Sequence, residues 1–299
     1  MEKPIRVTDQ RKSLWFATSA VLIWSTVATA FKLALRDLDY VQLIFVASGI
    51  SLAFLFCYLL LSGQFQAIFQ SSAKEWLHSA LLGAFNPFAY YLILFKAYSL
   101  LPAQLAQPLN MVWPLTLALL SVPLLHQRIT WRQFMALGIC FAGIVVLSSQ
   151  GSLRGFRETN LSGVVLAVGS SIFWALYWIL NVKDRRNEAV KLFLNFFFGF
   201  LYLLILLPVV SDFHFEWNVS LGAAIYVGLF EAGITYILWM KAMQYSENNA
   251  LTGSLTYASP FISLFFISAV LGEKIHLTTI AGLALIVTGI VYQQIFNRK

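Results

Sequence analysis

Ten runs of about twenty mostly apolar residues, separated by short polar breaks, leave this chain few ways to fold. The runs lie at about 14–35, 41–62, 77–95, 101–125, 131–149, 161–181, 192–211, 218–240, 250–272 and 276–296. A bilayer core of roughly 30 Å is crossed by about 20 apolar residues in helical form. Helices satisfy their own backbone groups, so they are the economical way to cross lipid. The breaks are short: Arg36-Asp37-Leu38-Asp39, Gln70 to Glu75, Arg154 to Asn160, Lys183 to Arg186, and Ser246 to Asn249. None leaves room for a soluble domain. Charged residues make up 11% of the 299 and hydrophobic ones 59%. A soluble domain carries about 25% charge, so lipid is the solvent that this composition suits. The expected fold is all-α, a polytopic membrane protein of ten transmembrane helices.

The formal net charge of +7 does not point to nucleic acid, because the basic residues sit at the ends of the apolar runs. With the N-terminus inside, fourteen of the 20 Lys and Arg fall on the inner side: Lys3, Arg6, Arg11, Lys12, Lys74, Arg128, Arg132, Lys183, Arg185, Arg186, Lys191, Lys241, Arg298 and Lys299. Six fall outside: Lys32, Arg36, Lys96, Arg154, Arg157 and Lys274. The positive-inside rule then favours two cytoplasmic termini. The first apolar run is too long for a signal core and is expected to stay as a span. Cys57 and Cys140 lie in apolar runs without CxxC spacing or nearby His, so both read as small buried hydrophobes rather than disulfide or metal ligands.

The two halves of the chain resemble each other. Gly83 to Ala97 lies over Gly228 to Ala242 at an offset of 145, matching Gly83, Phe85, Tyr91, Lys96 and Ala97 with equal or similar residues. At an offset of 146, Pro114 meets Pro260, Gln127-Arg128-Ile129 meets Glu273-Lys274-Ile275, and Gly143-Ile144-Val145 meets Gly289-Ile290-Val291. At 150, Ala17 and Trp24 meet Ala167 and Trp174. Coincidences of charge, Pro and Gly in register carry more weight than apolar matches. Five spans per copy is an odd number, so the second copy enters from the opposite face. The chain thus reads as two inverted five-helix repeats, 13–149 and 161–296. That layout suits alternating access around a midplane site.

Trp24-Ser25-Thr26 in the first run, its counterpart Phe173-Trp174-Ala175, and the Pro260…Gly272-Glu273-Lys274-Ile275 stretch followed by Gly282 and Gly289 resemble the drug/metabolite transporter superfamily, in its ten-span EamA-type members. The likeness covers nearly the whole chain. It departs where the usual Gly-Glu pair before the fifth span is His126-Gln127. Leu109-Asn110-Met111-Val112-Trp113-Pro114 is similar to the Asn-x-x-Trp-Pro stretch of the aromatic amino acid exporter branch. The resemblance implies an inner-membrane exporter with spans 1, 3, 4, 6, 8 and 9 around a central cavity.

Glu231 is the sharpest single feature. It falls near the middle of the eighth run, where a charge costs roughly 2.5 to 3.5 kcal/mol on insertion scales. Its repeat mate is Asn86, followed by Pro87. Two roles fit the acid: a solute or proton site, or a bond to a neighbouring helix. Trp174, Tyr177, Trp178 and Asn181 share one helical face. With Trp24, Tyr90, Trp113 and Tyr257 they form either an aromatic cavity for planar, amphipathic solutes or ordinary core. Gln104, Gln107, Pro108, Asn110 and Pro114, and in the second half Thr252, Ser254, Thr256, Tyr257 and Pro260, mark kinked spans whose freed carbonyls either bind solute or only bend a helix. Lys32, Lys96 and Lys241 read as anchors snorkelling to the interface, and Glu273-Lys274 as a local pair or cap.

The candidate binding set is therefore Trp24, Asn86, Tyr90, Asn110, Trp113, Trp174, Tyr177, Trp178, Glu231 and Tyr257. HExxH, GxSxG, Walker and Asp-rich diphosphate motifs are absent, and the four His do not cluster. An enzyme is not expected, nor a cofactor or bound metal. The expected partners are a small-molecule solute and the lipid bilayer, with no nucleic acid, and the chain acting as a monomer. The competing reading is a non-transporting lipid-handling or assembly protein of the same fold. A channel is weaker, since rings of like charge are not evident.

Overall fold

The computed structural model describes residues 8–125, 131–181 and 184–296. Lys3, Arg6, Arg128, Lys183, Arg298 and Lys299 of the basic tally lie outside them, as do His126-Gln127 and the Gln127-Arg128-Ile129 repeat segment. The regular structure of the described residues is entirely helical. In chain order the helices are α1 (Gln10–Ala34), α2 (Tyr40–Leu61), α3 (Ala73–Gly83), α4 (Tyr90–Leu100), α5 (Ala103–Asn110), α6 (Trp113–Leu125), α7 (Trp131–Ser148), α8 (Leu153–Glu158), α9 (Leu161–Asn181), α10 (Glu188–Val210), α11 (Val219–Phe230), α12 (Ile234–Tyr245), α13 (Asn249–Ser254), α14 (Ser259–Leu271) and α15 (Leu277–Phe296).

Among the described residues, seven stretches are long and apolar enough to cross a membrane: Gln10–Ala34, Tyr40–Leu61, Ala73–Leu100, Leu161–Asn181, Glu188–Val210, Val219–Tyr245 and Leu251–Leu271. The other three expected spans coincide with α5–α6, broken at Met111-Val112, and with the shorter apolar segments Phe134–Ser148 and Leu277–Tyr292. The outer surface is apolar, with Trp15, Leu61, Phe141, Ile205 and Phe265 all more than two-thirds exposed. A patch of that extent belongs in lipid. Cys57 lies on this surface, contrary to expectation, while Cys140 is buried. The difference is that α2 turns the Cys57 side outward.

Several helices begin earlier or run further than their apolar runs, because capping sets helix ends where hydropathy does not. Ser72 accepts from the Glu75 amide and Glu75 reaches back to the Ser72 amide, so α3 starts at Ala73 inside what reads as a polar break. Asp39 and Gln42 make the same box for α2. The break at Arg154–Asn160 is largely taken up by α8, which begins at Leu153. Lys96 and Lys241 do not close their helices, which continue to Leu100 and Tyr245. Their ammonium groups sit over aromatic rings, 4.7 Å from Tyr40 and 5.7 Å from Phe16 respectively.

Helix contacts come in matching pairs. α1 packs on α12 and α14, and α9 packs on α4 and α6; α2 packs on α11, and α10 on α3. α2 also meets α10, and α7 meets α15. The α7–α15 seam is close because its residues are small. A Cβ on Gly282 would stand 2.6 Å from Leu147 Cβ, and one on Gly289 2.5 Å from Cys140 Sγ.

Hydrogen bonds gather the chain reversals at two ends. At the proximal end, where α1 starts, the Asp9 amide donates to Tyr245 O (2.9 Å), and Arg186 donates to Ser79 Oγ (2.7 Å) on α3. At the distal end Ser220 Oγ donates to Asp37 (2.6 Å), and Ser211 bonds Asp39.

Candidate functional site: a central aromatic cavity

Three spans are broken halfway, and two of the breaks, at Met111 and Glu231, line one hollow. Asn86 has extended backbone (φ −146°, ψ 120°) between α3 and α4. Glu231-Ala232-Gly233 interrupts α11 and α12, and Met111-Val112 interrupts α5 and α6. The cavity between these helices has a volume of about 370 Å³. Nine of the ten expected residues line it: Trp24, Tyr90, Asn110, Trp113, Trp174, Tyr177, Trp178, Glu231 and Tyr257. Asn86 does not. It is wholly buried behind the wall, facing the Tyr177 and Tyr236 hydroxyls without meeting hydrogen-bond geometry with either. Asn86 thus sits behind the Tyr177 and Tyr236 side chains that line the lumen.

The walls are built from stacked and edge-on rings. Trp174 is the hub, with centroids 4.8 Å from Tyr90, 6.4 Å from Trp113, 6.0 Å from Tyr177 and 5.9 Å from Trp178. Across the lumen Trp24 packs 5.4 Å from Trp239 and 6.4 Å from Tyr236. The Trp24 indole N–H donates to Glu231 O at 3.3 Å. Asn110 is held rigidly, accepting from Tyr90 Oη (3.1 Å) and donating to Ser170 Oγ (2.9 Å).

Glu231 is held by one oxygen only. Tyr91 Oη donates to its Oε1 at 2.9 Å, while the buried Oε2 has no partner among the described residues. The same holds for Gln107 Oε1, Asn181 Oδ1, Tyr236 Oη and the indole nitrogens of Trp174 and Trp178, all on lining residues. Buried polar atoms without partners are costly. Six of them lie on residues around one hollow, so partnerless donors and acceptors are concentrated in its wall.

One end of the hollow is shut. Phe31 and Tyr98 close it distally, their ring centroids 5.1 Å apart and both nearly inaccessible. Beyond them the α4–α5 turn is clamped from both halves of the chain. Lys32 does not snorkel: its ammonium donates to Tyr98 O (2.9 Å) and Leu101 O (3.1 Å), at the C-terminal end of α4. Glu273 accepts from the Ala103 and Gln104 amides at 2.8 and 3.1 Å, capping α5 rather than its own helix. Gln104 donates to Lys274 O (3.0 Å) and accepts from Thr279 Oγ1 (2.9 Å). A cation on helix-end carbonyls and a carboxylate on helix-start amides both complement the helix dipoles. The proximal end carries Asn181, Lys191, Met240 and Gly253, with the exposed Glu188 side chain at the rim.

The EamA-like transporter family model matches residues 11–149 and again residues 161–292. The chain belongs to that family. It is 23% identical over 279 residues to an uncharacterised transporter of Archaeoglobus fulgidus, covering 90% of this chain and 93% of the relative. It is 26% identical to the aromatic amino acid exporter YddG of Ancylobacter novellus, covering 82% and 84%. It is 24% identical to a probable terminal-alkyne amino-acid exporter of Streptantibioticus cattleyicolor, covering 96% and 94%. A protein of known crystal structure superposes with a TM-score of 0.66 at 20% identity, over 97% of this chain and 99% of that one, which is a likeness of fold. This EamA-family chain is thus a multi-pass membrane transporter.

Its cavity includes a helix that the resemblance did not imply. α10, the seventh expected span, contributes Glu188, Lys191 and Leu192. A signal for this lay in the sequence. Lys191 is a cation in the first turn of an apolar helix, where the dipole disfavours positive charge. Tyr236 and Trp239 were also missed, and they lie on the helical continuation from Glu231.

Proposed function

We propose that this chain exports small amphipathic metabolites, foremost amino acids with aromatic side chains, by alternating access. The cavity lies between two inverted five-helix repeats at 13–149 and 161–296, in an inner membrane with both termini cytoplasmic. One observation carries the reading: Glu231, whose carboxylate has one buried oxygen without a partner among the described residues, lines an aromatic-walled hollow at mid-span. An aromatic amino acid presents an ammonium for the acid and a flat ring for Trp24, Tyr90 and Trp174. The volume falls in the range of roughly 300–1,000 Å³ usual for small-molecule sites. Two relatives named as amino-acid exporters agree with this substrate class.

The paired helix contacts support the repeat reading. Exchanging α1 with α9, α4 with α12 and α6 with α14 turns one set of contacts into the other. The seal at one end, set against the rim at the other, supports a cycle in which each end opens in turn. A lipid-handling or assembly role without transport gains nothing from a carboxylate held at mid-span in the hollow.

The test is uptake of labelled phenylalanine or tryptophan by proteoliposomes. Glu231→Gln keeps the Tyr91 bond and loses the charge, so saturable transport falls roughly ten- to hundred-fold, as expected for one charged hydrogen bond. Unchanged transport by Glu231→Gln across pH removes this carboxylate from the mechanism.

A further inference from the structure

The proximal rim carries a second charged group that the central site does not use. Lys191 is only 3% exposed, yet its carboxylate partner Glu188 is 61% exposed, with an N–O distance of 2.8 Å. The ammonium also donates to Asp184 O at 3.1 Å. An ammonium has three donors, so one N–H is to spare. A lysine serving only as an interface anchor places its head in water. Lys191 instead lines the cavity from the first turn of α10, where the helix dipole opposes it.

Two more polar side chains line the same cavity from the end of α9. Trp178 lies three residues from the C-terminal end of α9, and Lys191 three residues from the start of α10. The Tyr177–Asn195 bond of 3.3 Å brings the two helices together there. Trp178 Nε1 is a buried donor without a partner among the described residues. Asn181, one turn along the same face, has its Oδ1 bare and its side chain more than nine-tenths buried. The rim residues thus carry two donors, the Lys191 ammonium and the buried Trp178 indole, and two acceptors, the buried Asn181 Oδ1 and the exposed Glu188 carboxylate.

We propose that Lys191, Trp178, Asn181 and Glu188 form a rim station for the zwitterionic head of an amino acid, in which the resident Lys191–Glu188 pair is split by the guest. The substrate carboxylate takes Lys191 and Trp178. The substrate ammonium takes Glu188 and Asn181. No net charge is buried in the exchange, because one neutral pair becomes two. The station is separate from Glu231. Glu231 precedes the proximal end of α12 at Tyr245 by 14 residues, across the break at Glu231-Ala232-Gly233, and Lys191 is three residues inside the proximal end of α10, so the two differ in depth by roughly 15 Å. One α-amino group and its own carboxylate cannot bridge that distance. The guest therefore docks at the rim before it reaches the central acid.

This rests on the amino-acid reading above, and binding separates the two. Purified protein is melted in detergent with graded phenylalanine, 3-phenylpropionate or phenethylamine, since a ligand of the native state raises the melting point. Phenylalanine stabilises the wild type. Lys191→Met weakens phenylalanine about ten-fold, and Lys191→Arg keeps most of it. Glu188→Gln, which changes only an exposed carboxylate, tightens 3-phenylpropionate several-fold by freeing Lys191 from its competitor. A lysine with a merely structural role cannot produce that gain. The station is overturned if neither carboxylate probe moves the wild-type melting point, or if Glu188→Gln leaves 3-phenylpropionate unchanged. It is equally overturned if a folded Lys191→Met binds phenylalanine like the wild type. Wild-type phenylalanine transport with any of these results sinks the station alone. Tight carboxylate binding without transport sinks the export reading instead.

Discussion

Arg186 and Asp184 show how a single ion pair pins the proximal end. Arg186 donates to both Asp184 oxygens, at 3.1 Å from Nε and 2.5 Å from Nη2, and to Ser79 on α3. Burial works against the Asp184 charge, but the Arg186 hydrogen bonds and positive charge, aided by Lys191, outweigh it and hold the carboxyl below its ordinary value. A depressed carboxyl stabilises the folded state above the unfolded value near 3.9 and stops doing so as pH falls through the folded value. Melting in detergent should therefore drop below about pH 4 in the wild type. Asp184→Asn should flatten that part of the profile. Arg186→Gln, which strands a buried carboxylate, should cost on the order of 3 kcal/mol at neutral pH. If Asp184→Asn keeps the whole acid limb, this pair does not produce it.

At the level of helices, apolar runs were enough to find most of the spans, and caps explain where their ends were misjudged. Ser72 and Glu75 look like loop residues until their reciprocal bonds are seen. The lining set was legible for a simple reason: Trp174, Tyr177 and Trp178 share a helical face, and a mid-span acid must be faced by something. Asn86 was misplaced because equivalence in a repeat does not fix rotation about a helix, and a kink at Pro87 reorients it. Lys32 and Glu273 were misread because their partners are more than sixty residues away in sequence. Local pattern carries no trace of such a bond. The α7–α15 seam yields a prediction at this scale. Neither helix lines the cavity, so Gly282→Leu, which forces a side chain against Leu147 and the Gly143 carbonyl, should lower stability by about 1–3 kcal/mol. Surviving protein should keep the wild-type KM. A large change in KM without loss of melting temperature would tie this seam to the transport cycle instead.

For the molecule as a whole, the question is whether the two ends of the hollow open in turn or together. Distally, Leu101 is 2% exposed and sits in the turn held by Lys32 and Glu273. Proximally, Met240 lines the cavity and is half-buried. The clamp joins the first half of the chain to the second, since Lys32 lies on α1 and Glu273 between α14 and α15. Opening the distal end therefore breaks contacts across the halves, and in the alternating-access cycle proposed above, rocking the halves closes the proximal end in the same movement. In a background of Cys57→Ser and Cys140→Ala, Met240→Cys should label readily with a membrane-impermeant maleimide and Leu101→Cys should not. Adding Glu273→Gln weakens the cap on α5, and a lost cap costs about 0.5–2 kcal/mol, enough to shift a two-state population several-fold. Labelling of Leu101→Cys should then rise while that of Met240→Cys falls. Because one motion moves both ends, the two rates should change in opposite directions and by comparable factors. A rise at both positions would mean a continuous pore, and the chain would conduct rather than carry.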